Sequence, residues 1–270
     1  MESSKRGVNK MDRREMNRNI FKDTERMCKT DAELSDATKV SVANQRFIAE
    51  AEDIPTPELN IYRKKANVVV SKKRTYEAAM AYKGNHVAVH NFASASNPGG
   101  GVVSGAGAQE ECLCRCSNLY FCLNTPDMWG MFYTPHRAAH DPIHNDDIIY
   151  TPDIVVFKTD TDSPELMECD DWYKVDVITC AAPNLRETPS NKYNSGDGTC
   201  AVTLSSKELQ ALHEKRLRRI LDSAVMNHAD TVILGAFGCG AFRNEPQVVA
   251  TAAANVVRDY MYAFKNIEFA

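Results

Sequence analysis

Glu110 and Glu111 are the residues best placed to do chemistry. They close the stretch 97–111, NPGGGVVSGAGAQEE. Gly99, Gly100 and Gly101 let the backbone lie against a ligand, because no Cβ stands in the way and positive φ is open to them. A slender loop that lies on a ligand and then delivers a carboxylate suits cleavage of a glycosidic bond. The departing alkoxide needs a proton, and the attacking water must lose one. A Glu-Glu pair in the first turn of a helix is also stabilised by the helix dipole without any chemistry. The glycine run at this spacing moves the reading towards function.

A second loop, residues 235–244 (GAFGCGAFRN), follows a predicted strand at 231–234. It leads into a helix predicted from Glu245 to about Phe264, with Asn244 as N-cap and Pro246 in the first turn. Free N–H groups and the positive helix end both favour a phosphate there. Gly238-x-Gly240 alone is weak evidence, since a tight turn needs the same residues. Two glycine loops at strand ends can form the two walls of one nucleotide cleft. Of Phe237 and Phe242, one is expected to stack on a ribose or base and the other to be core.

The spacing GGG, seven residues, QEE resembles the signature of the poly(ADP-ribose) glycohydrolases. The loop GAFGCGAFRN resembles the diphosphate loop of the same family, a macrodomain family. The resemblance is to the bacterial-type members and covers residues 60 to 265, including a middle stretch with His136, Tyr150, Thr151, Pro152 and Asp153. It implies an α/β fold, a macrodomain-like three-layer α/β/α arrangement with a mixed sheet. It implies exo-acting hydrolysis of the ribose–ribose O-glycosidic bond of poly(ADP-ribose), releasing ADP-ribose. Glu111 would be the catalytic acid and then the base, its pKa raised by Glu110 and by a desolvated cleft. Glu110 would fix the ribose hydroxyls, and Asn97 would bond the same ribose through its amide. Gly99, Gly100 and Gly101, with Gly238, Cys239 and Gly240, would hold the diphosphate through backbone N–H groups. Phe242 would pack on the distal ribose, Ala241 would leave it room, and Gln109 would support the loop. No cofactor or metal is implied. The expected partners are ADP-ribose, poly(ADP-ribose) and ADP-ribosylated proteins. Two other readings stay open: a non-catalytic ADP-ribose-binding macrodomain and a mono-ADP-ribosyl hydrolase.

These loops need elements to position them. Residues 1–60 read as a polar, N-terminal helical accessory segment, and 61–270 as the macrodomain-like catalytic domain. A loose tail is the lesser reading for the first ten residues. Thr30-x-x-Glu33 has the form of a capping box, and Pro55 and Pro57 punctuate the chain beyond that helix. Short β-branched runs at 68–70, 87–89, 153–157, 175–178 and 231–234 predict buried strands. Helices are predicted over 75–82 and over 205–227, the latter opened by Ser205-x-x-Glu208. Leu209, Leu212, Leu217, Ile220, Leu221 and Ala224 mark its apolar stripe. Lys215, Arg216, Arg218 and Arg219 between them read as a solvated face. Strands alternating with helices argue for an α/β sheet fold.

With 270 residues, 43% of them hydrophobic and 25% charged, the chain has the composition of a globular protein. A net charge of -4 argues against duplex DNA as a partner. The opening residues lack the apolar core of a signal peptide, no run reaches the ~18 residues of a membrane span, and the cysteines number nine. These features predict a reduced, cytoplasmic protein with no membrane partner. Cys112, Cys114 and Cys116 alternate, so on a helix they point apart and suit packing better than metal. His136, His140 and His144 have helical spacing, but Pro135 and Pro142 predict a loop there.

Overall fold

The computed structural model describes residues 2–191 and 195–270, with side chains from Arg13 onward. The chain opens with α1 (Glu2–Thr30), α2 (Ala32–Ala43) and the short strand β1 (Arg46–Ile48). It continues through β2 (Asn67–Val70), α3 (Thr75–Met80), β3 (Val87–Ala93), α4 (Gln109–Cys116) and α5 (Leu119–Leu123). Next, α6 (Pro126–Met128) passes through a π-helical turn at Trp129–Tyr133 into α7 (Thr134–Ala139). Then come β4 (Ile148–Val156), β5 (Tyr173–Ala181), α8 (Ser206–Met226), β6 (Thr231–Leu234), α9 (Pro246–Val257) and β7 (Asn266–Phe269).

Among the described residues the strands form one seven-stranded sheet in the order β1-β4-β5-β3-β6-β7-β2. The pairings β3–β5, β3–β6, β6–β7 and β2–β7 are parallel, whereas β1–β4 and β4–β5 are antiparallel. The sheet is therefore mixed. Alternate residues of each strand face opposite ways. Val87, Val89, Val177 and Ile233 pack with Tyr76, Leu113, Leu119 and Phe132 on the α3–α7 face. Ala88, Ile178, Val232 and Leu234 pack with Leu217, Ile220, Leu221 and Val256 on the α8–α9 face. Two helical layers around a mixed sheet make the predicted α/β/α arrangement.

Helix is confined to α1 and α2, which end at Ala43; β1 follows and pairs with β4, and residues 53–62 form neither helix nor strand. The α1 helix is fastened to the core. Lys158 Nζ, nearly fully buried, donates to Asp23 (2.8 Å), Thr24 Oγ1 (2.9 Å) and Ile20 O (3.2 Å). Thr24 Oγ1 in turn donates to Arg115 O at 2.6 Å. Phe21 meets Tyr120 edge-on, with centroids 5.0 Å apart. No helix among the described residues is long and apolar enough to cross a membrane.

Several local expectations are corrected. The cap of α2 is Asp31, which accepts from Leu34 N, because the Thr30 hydroxyl is spent on Arg26 O. The N-cap of α9 is Glu245 and not Asn244, whose buried amide is used elsewhere. That helix ends at Val257, short of Phe264, and β7 comes after it where no strand is expected. β2, expected to be buried, is the sheet edge, and Val70 is 81% exposed. Residues 126–139 are helical despite Pro135, which falls in the first turn of α7, where its missing N–H costs little.

The capping box of Ser205 and Glu208 is present as expected. The basic face of α8 is not uniformly solvated, because Arg216 is 1% exposed. Its guanidinium donates to Asp146 Oδ1 (2.7 Å), Ala181 O (2.9 Å), Ile143 O (2.8 Å) and His144 O (3.0 Å). It thereby ties α8 to the loop before β4 and to the end of β5. Arg216→Ala would leave three carbonyls unpaired and the buried Asp146 carboxylate held by Lys215 alone, so a loss of about 3–5 kcal/mol is expected in denaturant unfolding. A loss below about 1 kcal/mol would show that the clamp is not structural.

Candidate active site

Parallel strands β3, β5 and β6 present their carboxyl ends side by side, the usual position of a ligand crevice in an open α/β sheet. A cleft of about 750 Å³ opens there. One wall is the loop after β3, and the other is the loop after β6.

The loop after β3 turns back on itself. Gly99 (φ 64°) and Gly100 (φ 56°) occupy the left-handed region that side chains avoid. It then enters α4, whose first turn carries Glu110 and Glu111. Both carboxyls are buried, at 3% and 7% exposure. Glu110 accepts from Ser94 N at 2.8 Å and from the Asn91 amide at 3.3 Å. Burial first, and the Glu111 charge second, push its carboxyl well above the usual carboxylate range. Glu111 Oε1 accepts from Gly101 N at 2.8 Å, while its buried Oε2 has no hydrogen-bond partner in the protein. A Cβ at Gly100 would lie 2.6 Å from Glu111 Oε1, so a side chain at that position would collide with the carboxylate.

The loop after β6 is held from behind. Asn244 Nδ2 donates to Pro183 O (2.7 Å) and Phe242 O (3.2 Å), which leaves Oδ1 to accept from His213 Nε2 at 2.7 Å. Burial keeps His213 down at about 4 and His90 at about 3, so both rings stay neutral near pH 7. Phe237 packs edge-on against both rings and is core, whereas Phe242 lines the cleft, with the Arg186 guanidinium 5.9 Å from its centroid. Gly238 (φ 78°) sits so close to Ala182 that a Cβ would come within 2.7 Å of it, and Gly240 is open.

Most of the expected site converges. Asn97, Gly100, Gly101, Gln109, Glu110, Glu111, Gly238, Gly240, Ala241 and Phe242 line the cleft. Two do not. Gly99 packs against Tyr120 and Cys114, and Cys239 turns its thiol to Phe237 O at 3.8 Å. The Gln109 amide is spent on the scaffold, accepting from Phe92 N (2.9 Å) and donating to His90 O (2.8 Å) and Thr75 Oγ1 (3.1 Å). Asn97 Oδ1 takes a very short bond from Arg137, whose guanidinium lies 4.6 Å from the Trp129 centroid. Tyr150, Thr151 and Asp153 lie on β4, two strands from β3. Tyr150 donates to Asp176 there, and none of the three reaches the cleft. Cys112, Cys114 and Cys116 are buried on α4, and no group of three or more His, Cys, Asp or Glu among the described residues could hold a metal ion.

Sequence reasoning missed Arg13, Arg14 and Asn17 of α1, Arg186 and Asn191 after β5, and Phe92 and Asn91 of β3. Asn91 had a signal, since His90-Asn91 breaks an apolar central strand. The others had none, because their partners lie far off in sequence.

The sequence profile "Microbial-type PARG, catalytic domain" matches residues 16–159. Among curated protein sequences none matches significantly. The fold is similar to the crystal structure of the poly(ADP-ribose) glycohydrolase of Thermomonospora curvata, at 28% identity over 94% of this chain and 92% of that one, with a TM-score of 0.80. The same enzyme bound to the inhibitor ADP-HPD aligns at 29% identity over the same shares, with a TM-score of 0.76. The Deinococcus radiodurans enzyme in complex with ADP-ribose aligns at 30% identity over 86% of this chain and 89% of that one, with a TM-score of 0.68. With the profile spanning more than half of its length, the chain belongs to the microbial-type poly(ADP-ribose) glycohydrolases, glycoside hydrolases that act on poly(ADP-ribose).

Proposed function

We propose that Glu111 supplies the proton when the ribose–ribose bond breaks and then takes one from the attacking water. One observation carries this reading: Glu111 Oε2 is buried at the cleft without a protein partner, while Oε1 is fixed by Gly101 N. An oriented carboxyl with one oxygen unspent is what proton transfer to a leaving alkoxide requires. Burial and the neighbouring Glu111 charge favour the neutral form of Glu110. Glu110, anchored by Ser94 and Asn91, accepts ribose hydroxyls with its remaining lone pairs. Asn97 bonds the same ribose. The backbone N–H groups of Gly238 and Gly240 hold the diphosphate, the bare backbone of Gly100 and Gly101 closes on it from the opposite wall, and Phe242 packs on the distal ribose.

The ligand is a terminal ADP-ribose unit, and release proceeds from chain ends. Arg186, 5.9 Å from the Phe242 ring, and Asn191 add side chains to the lining of the cleft, which supports an end unit over one in mid-chain. Residues 1–60 serve as an accessory segment of the catalytic domain at 61–270. The described cysteines are free thiols, which supports a reducing, cytoplasmic setting.

Glu111→Gln is expected to lower polymer turnover about 10³-fold while ADP-ribose binding persists. Turnover of labelled polymer within a few-fold of wild type would refute the assignment. Monomeric ADP-ribose as the first product supports end-wise release, and early oligomers would overturn it. Glu110→Gln gives a different signature. A carboxyl held protonated by the fold adds stability below its unfolded pKa and loses it as pH rises through the folded value. The variant should therefore melt higher than wild type, by a margin that grows as pH rises above the ordinary carboxylate range. A margin that is flat or shrinks with pH would contradict the burial argument.

A further inference from the structure

The cleft does not end at the catalytic carboxylates. Gly101 lies against Ser104 and Ala106, and a Cβ on it would come within 2.8 Å of Ala106 Cβ. Gly105 lies against α1, where a Cβ would meet Arg14 O and the Arg18 stem. Asn17 Nδ2 donates to Gly105 O at 3.1 Å, and Arg115 donates to Ala106 O at 2.6 Å. Moving outward from Glu111, the next layers are the loop 102–107 and then α1. The diphosphate loop packs elsewhere, on Ala182 and, through Phe242 O, on Leu185 N. Arg13, Arg14 and Asn17 of α1 line the cleft.

The charge of this wall is positive. Arg14 and Arg18 are one turn apart on the same face. Arg13 and Arg74 share Asp162, and Arg74 also lies 3.9 Å from the buried Asp160, so this group adds little to the charge of the wall. Glu15 lies about 100° round the helix from Arg14. A terminal ADP-ribose unit gripped by the two glycine loops has its own diphosphate neutralised at the far wall. The leaving group at Glu111 is the ribose of the next unit, and that unit carries a second diphosphate.

We propose that the Arg14–Arg18 face of α1, with Arg13 beside it, is a subsite for the diphosphate of the penultimate ADP-ribose unit. It makes the enzyme prefer polymer over an isolated ADP-ribosyl group. The inference rests on Glu111 marking the scissile bond. Contacts to a diphosphate at a partly exposed wall act through charge, so they are sensitive to salt.

Polymer and ADP-ribose affinities, measured in an E111Q background, read binding without turnover. R14E/R18E is expected to weaken polymer about tenfold and ADP-ribose far less. R14K/R18K should restore most of the polymer affinity. K39E/K207E, the same change of net charge at exposed sites outside the cleft, should not reproduce the effect. The polymer's salt dependence should flatten in R14E/R18E. Equal losses for both ligands, or no loss for polymer, would overturn the subsite. A loss seen only with an acidic ADP-ribosylated protein would also overturn it, by making the face a protein-docking surface. Should E111Q still degrade polymer, the role given to Glu111 fails, and the ratio of the two affinities still decides the subsite.

Discussion

The backbone at Gly100 lies so close to Glu111 that a Cβ there would sit 2.6 Å from the carboxylate oxygen. This contact governs the site. It brings the Gly101 N–H onto Glu111 and the loop after β3 onto the first turn of α4. The carboxylates are oriented by backbone donors, which lose no rotamer entropy on binding them. Burying two adjacent acids costs stability, and the helix dipole and N–H donors offset only part of that cost. Storing such a cost at a reacting centre is how a fold keeps a carboxyl ready to give up a proton.

The remainder of the architecture keeps that geometry rigid. Gln109 bridges the start of α4 to β3, so the helix bearing the acids cannot slide along the sheet. Neutral His213 sets the Asn244 amide, and Asn244 sets the turn of the loop after β6. Arg137, stacked on Trp129 at the π-helical turn, sets Asn97. In each case a group outside the cleft fixes one inside it, as precise positioning requires. The α1 helix belongs to this scheme. Lys158 and Arg115 lock α1 against the loop 102–107, so the N-terminal segment becomes a wall of the cleft.

Misreadings cluster where long-range partners outvote local pattern. β1 and β7 are too short to show a period. β1 exists because β4 offers it an antiparallel edge, and β7 because it lies between β6 and β2. β2 has the β-branched look of a core strand, yet at the sheet edge its side chains are largely exposed. Arg216 is indistinguishable in sequence from Arg218 and Arg219, and only the Asp146 carboxylate with the carbonyls of Ile143, His144 and Ala181 makes a buried cation tolerable. Asn244 has the look of a cap because it precedes Pro246. Its amide instead serves Pro183, a residue brought near by the sheet.

The amino-acid sequence alone determined which residue types are candidates for chemistry and how they are spaced. Glycine runs and paired acids are local features, and their meaning survives without knowledge of distant neighbours. It also determined the α/β class, because alternation of strand and helix is read within short windows. The tertiary structure decided which of these residues face one cleft. It set Gly99 and Cys239 aside, recruited Arg13, Arg14, Asn17 and Arg186, and left one oxygen of Glu111 without a partner. The physical reason is that burial and hydrogen-bond satisfaction depend on residues far apart in the chain. Their pairing emerges only when the sheet brings the ends of β3, β5 and β6 together.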